Sequence, residues 1–172
     1  MNKMIHTIVL AATALTTALI AGLFYAYSCS VNPGLGSLGD KEYLAAMQSI
    51  NIAIINPLFM MSFMGTMLLL PVATFMQYSN PVSLRFWLLL LATLFYGLGV
   101  FGVTMAGNVP LNDALARIDL QLPAAELHAR RLQFEGPWNS LNRIRSICSG
   151  LSTLCVSLAC LAGSRQLKEL WQ

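Results

Sequence analysis

The sequence predicts an all-α fold, an integral membrane four-helix bundle with a short interfacial helical loop between spans 3 and 4. Three observations carry that prediction. Of the 172 residues, 56% are hydrophobic and only 10% charged, whereas a soluble domain carries roughly a quarter charged residues. Mean hydropathy is +0.65. Four apolar runs, at about residues 5–27, 51–77, 85–106 and 141–163, are each long enough to cross a hydrocarbon core of roughly 30 Å at ~1.5 Å per residue. One bundle is all this length allows, so residues 1–172 are expected to form a single four-span membrane domain. The net charge of +3 is small and scattered, which excludes the basic patch that tracks a nucleic-acid backbone.

Span 1 begins after Lys3 and runs without a charge from Ile5 to Ala26, longer than a signal-peptide core, so it reads as a retained helix. Ala14, Ala18, Gly22 and Ala26 form a thin ridge for close helix packing. Asn32-Pro33-Gly34, Gly36 and Gly39 predict a loop over Ser28 to Asp40, with Asp40 capping an interfacial helix over Lys41 to Ile50 that sets Tyr43 at headgroup level. Gln48 and Asn51 share one face of it. Asn56-Pro57 is either an N-cap with proline at the first helical position or a kink that aims Asn56 into the bundle. Pro71 is expected to bend the far end of span 2. A turn through Asn80-Pro81 and an anchor at Arg85 lead into span 3, which carries Trp87 and Tyr96 and is thinned at Gly97, Gly99 and Gly102 for a crossing helix. Gly107 and Pro110 are expected to stop that span, with Asn112 capping a short helix from Asp113 to Leu120. Thr104 and Asn108 lie four apart, on one face. A helix over Ala124 to Phe134 is expected to lie across the mouth of the bundle as a lid or interfacial anchor. Span 4 follows, and Arg165, Lys168 and Trp171 make an anchoring tail. Basic residues divide evenly between the two sides, which leaves the orientation open.

Span 4 opens on the stretch in which the chemistry concentrates. At about 100° per residue, Trp138, Asn142 and Arg145 fall within ~60° of one another, and Ser149 and Ser152 continue the line. Arg143 points elsewhere. An indole, an amide and a fixed cation thus share one face, and such a stripe inside a membrane needs polar partners. Loops 28–50 and 107–140 emerge on the same side as this stretch, so Asn51, Asn108, Asn112, Trp138, Asn142 and Arg145 are expected to converge at one mouth of the bundle. Capping and turn formation are the plainer roles for Asn108 and Asn112. His128 is the last loop's candidate for moving a proton.

Metal chemistry has thinner support. Cys29, Cys148, Cys155 and Cys160 match no zinc or redox spacing and read as small apolar residues. His6 and His128 sit in different parts of the chain, a poor pair for a bis-histidine haem. Met60, Met61, Met64 and Met67 offer thioethers to Cu(I), but methionine more often fills gaps in a core.

Taken together, Gly107-Asn108-Val109-Pro110-Leu111-Asn112, Trp138-x-x-x-Asn142-x-x-Arg145, Phe24-Tyr25-Ala26-Tyr27-Ser28, Met47-Gln48-Ser49-Ile50-Asn51 and Asn56-Pro57 resemble the anthrone oxygenase-like (DUF1772-type) membrane family. That resemblance implies oxidation of an anthrone or another polyphenolic apolar substrate by O₂, with no dedicated organic cofactor and no metal. In this reading Arg145 stabilises a phenolate, Asn108, Asn112 and Asn142 orient its oxygens, and His128, Asp113 or water takes the proton. Trp138, Asn51, Asn56, Thr104, Gln48 and Tyr27 are the expected substrate contacts. The family often carries histidine after the matching asparagine; this chain has Arg143, which removes a base from that position. The implied partners are an apolar aromatic small molecule, O₂ and the lipid bilayer. The implied location is a bacterial inner membrane, crossed several times. Two other accounts stay open at this point. One is a non-enzymatic accessory or lipid-binding subunit, with Arg145 on a lipid phosphate and the small-residue ridges as homo-oligomer contacts. The other is a copper or redox protein built on the methionines.

Overall fold

A computed structural model describes residues 3–169 and the side chains of residues 4–162; the anchoring tail expected of Arg165, Lys168 and Trp171 lies outside those side chains. The described residues form α1 (Lys3–Ala26), a π-helical segment (Tyr27–Val31), α2 (Asn32–Gly36), α3 (Asp40–Ala53), α4 (Pro57–Met76) and α5 (Leu84–Tyr96). Two further π-helical segments (Gly97–Gly102 and Thr104–Asn108), α6 (Val109–Ala116) and α7 (Ala124–Glu169) complete them. Among the described residues four helices are long and apolar enough to cross a membrane, Met4–Gly36, Pro57–Met76, Leu84–Ala116 and Ala124–Ala162. The protein is an all-helical, multi-pass membrane protein.

Three of those helices run further than the sequence predicts. The expected loop from Ser28 shrinks to the turn after Gly36, Gly107 and Pro110 do not stop span 3, and the expected lid over Ala124 to Phe134 is simply the first part of α7. Proline explains two of the three. Pro33 and Pro110 each fall in the first turn of an α-segment, where the N–H that proline lacks is not required. Each such segment directly follows a π-helical one, whose wider turn is visible where Asn32 N–H donates to Tyr27 O and Val109 N–H to Thr104 O. In α7, Pro137 sits inside the helix without ending it.

Caps differ in the same manner. Asn56 accepts from Phe59 N–H at 3.1 Å, so Asn56-Pro57 is an N-cap. Asp40 is the first residue of α3 and caps nothing, its place at the cap being taken by Gly39. Asn112 lies within α6.

Two clusters form the core. In the membrane half, Ile20, Phe24, Phe63, Leu70, Tyr96 and Val156 pack together, and the Tyr96 hydroxyl donates to Phe63 O at 2.9 Å, which satisfies a polar group that lipid could not. At the mouth, Tyr43, Leu44, Met47, Leu115, Leu127, Phe134 and Trp138 form a second cluster. Tyr43 is therefore a core residue, 2% exposed. Gly99 and Gly107 let α7 approach the third span: an added Cβ would strike the Cys148 side chain at Gly99 and come within 2.7 Å of Leu141 Cδ1 at Gly107. Of the α1 ridge, only Ala14 packs against the membrane-half cluster. Ala18, Gly22 and Ala26 are exposed, and α1 buries Leu10, Thr13, Thr17, Ile20 and Phe24 instead.

Candidate functional site

The stripe predicted on span 4 is buried along its whole length. Trp138, Asn142, Arg145, Ser149 and Ser152 are 5%, 1%, 6%, 0% and 0% exposed, while Arg143 is exposed. One helical periodicity does this: α7 has a single face toward the bundle, and the polar side chains lie on it. They find partners on other helices. Trp138 Nε1 donates to Asn112 Oδ1 at 3.0 Å, Asn142 Nδ2 to Ser28 Oγ at 3.0 Å, and Ser152 Oγ to Ala92 O at 3.0 Å. Arg145 Nη2 donates to Asn142 Oδ1 at 3.1 Å. Since Ser28 receives the amide nitrogen of Asn142, its oxygen is turned to the arginine.

Aromatic rings complete the surroundings of Arg145. Its guanidinium carbon lies 4.5 Å from the centre of the Phe24 ring and 5.3 Å from that of Trp138, and Tyr27 packs on Trp138 at 5.6 Å. Such cation–π contacts ease the burial of a cation without neutralising it. None of the ion pairs among the described residues involves Arg145, and its Nε has no hydrogen-bond partner.

Asn108 is 1% exposed, and neither its Nδ2 nor its Oδ1 has a partner. Helical register places it. Asn112 meets Trp138, and Gly107 abuts Leu141, so on these antiparallel helices Asn108 lies one turn below Asn112, at the level of Asn142. From the other side, α3 runs alongside α7 with Asp40 on Arg131 and Tyr43 on Phe134, which sets Asn51 near that same level. Asn51 Nδ2 is also unpartnered. A fixed positive charge, unsatisfied amide groups and aromatic rings are thus gathered in a dry interior. That arrangement can stabilise negative charge on an oxygen brought to it.

Other expected site residues are engaged elsewhere. Gln48 Nε2 donates to Leu115 O and Ile118 O, which ties α3 to the end of α6. Asn56 caps α4, and Thr104 Oγ1 donates back to Val100 O. His128 precedes Arg145 by 17 positions on one helix, about 25 Å along the axis, and its Nδ1 pairs with Asp40 Oδ2 at 3.0 Å. Asp113 is exposed on α6. Met60, Met61 and Met64 are 39%, 71% and 37% exposed on the outer face of α4, and among the described residues no group of three His, Cys, Asp or Glu could hold a metal.

Sequence reasoning missed two features. Ser28 and Ser146 pair at 2.8 Å, and Ser146 Oγ also reaches Phe24 O and Asn142 O; a contact across more than a hundred residues leaves no mark in local spacing. The second is a clasp at the mouth. Arg131 donates to Glu135, Asp40, Gly36 O and Leu38 O and lies 4.5 Å from the centre of the Tyr43 ring. Hydrogen bonds from His128 and Arg131 hold the Asp40 carboxyl below its ordinary range.

The anthrone oxygenase family model matches residues 58–155, more than half of the chain. The match takes in Asn108, Asn112, Trp138, Asn142 and Arg145, whereas Tyr27, Gln48, Asn51 and Asn56 precede it. No curated protein and no solved structure matches the chain.

Proposed function

Because the chain belongs to the anthrone oxygenase family, we propose that it oxidises an anthrone-like, polyphenolic apolar substrate with O₂ at the Arg145 site. One observation carries the reading: a guanidinium 6% exposed, outside every described ion pair, with Nε unpartnered. A buried cation of this kind is costly unless an anion joins it. An ionised phenol is such an anion, and its ring suits the aromatic surroundings of Trp138, Tyr27 and Phe24.

The chemistry balances with O₂ as the one co-reactant. Loss of a proton from the anthrone methylene gives a phenolate, which Arg145 stabilises and thereby makes easier to form. The phenolate passes one electron to O₂, and the resulting radical pair joins as a carbon hydroperoxide. Loss of water, by cleavage of the O–O bond and the remaining C–H bond, leaves the quinone. In sum, anthrone and O₂ give anthraquinone and water. His128 is too distant to take the first proton directly, so water at the mouth is its acceptor in this scheme.

A buried Arg145 counts against the accessory account, which needs the side chain on a lipid phosphate. The test is O₂ uptake by the detergent-purified protein with a simple anthrone. Arg145→Ala, still folded, is expected to lose about 10²–10³-fold in turnover. Undiminished turnover in that variant sinks the scheme.

A further inference from the structure

Among their fully buried side-chain atoms, Arg145 and Asn108 together present two unpartnered donor nitrogens, Nε and Nδ2, and one unpartnered acceptor, Oδ1, on side chains 6% and 1% exposed. An amide always offers one donor and one acceptor whichever way it is turned, so the inventory survives a flip of Asn108. Groups left this way in a low-dielectric interior are expensive, and the two side chains sit on facing helices at one level. Arg145 Nη2 is spent on Asn142, and its aromatic neighbours bring no charge.

The complement of that inventory is specific. Charge balance asks for a monoanion, the two N–H groups ask for acceptor oxygens, and Asn108 Oδ1 asks for an O–H. Chloride lacks the O–H, formate lacks it too, and a dianion over-compensates. We infer that the Arg145–Asn108 pair binds a small monoanion that carries an O–H beside its acceptor oxygens, hydrogencarbonate being the simplest. A phenolate with a neighbouring hydroxyl shares this chemistry. Binding needs no oxidation step, so the inference stands apart from the oxygenase reading.

Thermal unfolding of the full chain in detergent, at pH 8 and constant ionic strength, tests it with sodium hydrogencarbonate, formate, chloride and catechol in turn. Hydrogencarbonate is expected to raise the midpoint saturably, by about 4 °C at ten times its dissociation constant. Formate should give less and chloride nothing. Asn108→Leu should abolish the preference for hydrogencarbonate over formate, and Arg145→Gln all of the shift. Should Arg145→Gln fail to fold, Asn108→Leu with calorimetric titration of the wild type decides. Equal shifts in all three salts, no saturable shift, or an undiminished preference in Asn108→Leu overturns the inference. A shift with catechol alone assigns the site to a phenolate and overturns the inorganic ligand. Anthrone turnover without any salt effect would leave the oxygenase reading standing and this one refuted.

Discussion

Two regions of α7, about four turns apart, treat arginine in opposite ways. At the mouth, Arg131 has two carboxylates, two backbone carbonyls and a tyrosine ring around it. Inside the bundle, Arg145 has one amide oxygen, two rings and no carboxylate. The first is finished by the protein itself and joins α3 and the turn before it to α7. The second is unfinished, and the missing partner is a negative charge. A saturated cation builds structure; an unsaturated one, kept dry, is suited to a ligand.

The comparison breaks most sharply on stability. Arg131→Met takes the partner from Asp40 and Glu135 at the mouth and should lower the thermal midpoint. Arg145→Met removes an unpaired buried charge and should be neutral or stabilising, by as much as ~1–3 kcal/mol. Thermal midpoints of the two purified variants decide, and equal losses would erase the distinction. Gly107→Ala probes the close contact that seats Asn108 opposite α7. An added Cβ would come within 2.7 Å of Leu141 Cδ1, which should cost about 1–3 kcal/mol and be relieved by Leu141→Ala in the same chain. Absence of relief would mean that another contact sets the register.

Acid should act on the mouth alone. The Asp40 carboxyl is held below its ordinary value of 3.8, first by His128 and then by Arg131, so its contribution to stability is present above about pH 4 and is lost as the pH falls through the lowered value. Asp40→Asn should flatten that acid limb of the midpoint-against-pH curve, and a limb unchanged in the variant would assign it to other carboxylates. Arg143→Ala should do least. Its side chain is exposed on the far face of α7, and a change within ~0.5 kcal/mol is expected; a larger loss would show that the face has a partner.

Much of this was legible beforehand because it depends on local period. Hydropathy alone gives four spans, and the spacing of Trp138, Asn142, Arg145, Ser149 and Ser152 gives a stripe that is buried from end to end. Asn112 could be placed on the same side as Trp138 from topology, since both belong to the connection between spans 3 and 4. Helix ends were harder to read. Pro33, Gly107 and Pro110 look like stops in the sequence, yet π-helical turns and first-turn positions absorb the two prolines, and a membrane helix keeps its backbone paired wherever neighbours allow. The thin ridge of Ala14, Ala18, Gly22 and Ala26 predicts close helix packing, yet Ala18, Gly22 and Ala26 lie on the outside, because periodicity fixes a face without saying what it meets.

The sequence by itself therefore determined an all-helical membrane bundle, the polar face of its last helix and the family to which it belongs. Tertiary structure decided which polar groups are satisfied. That Ser28 turns Asn142 toward Arg145, that Asp40 goes to His128 and Arg131 instead of capping α3, and that Asn108 and Arg145 Nε are left over are outcomes of pairing between distant segments. The physical reason is one of range. Hydrophobic period and proline sterics act over a few residues and can be read along the chain, whereas a hydrogen bond is satisfied only by whatever the fold brings within about 3 Å.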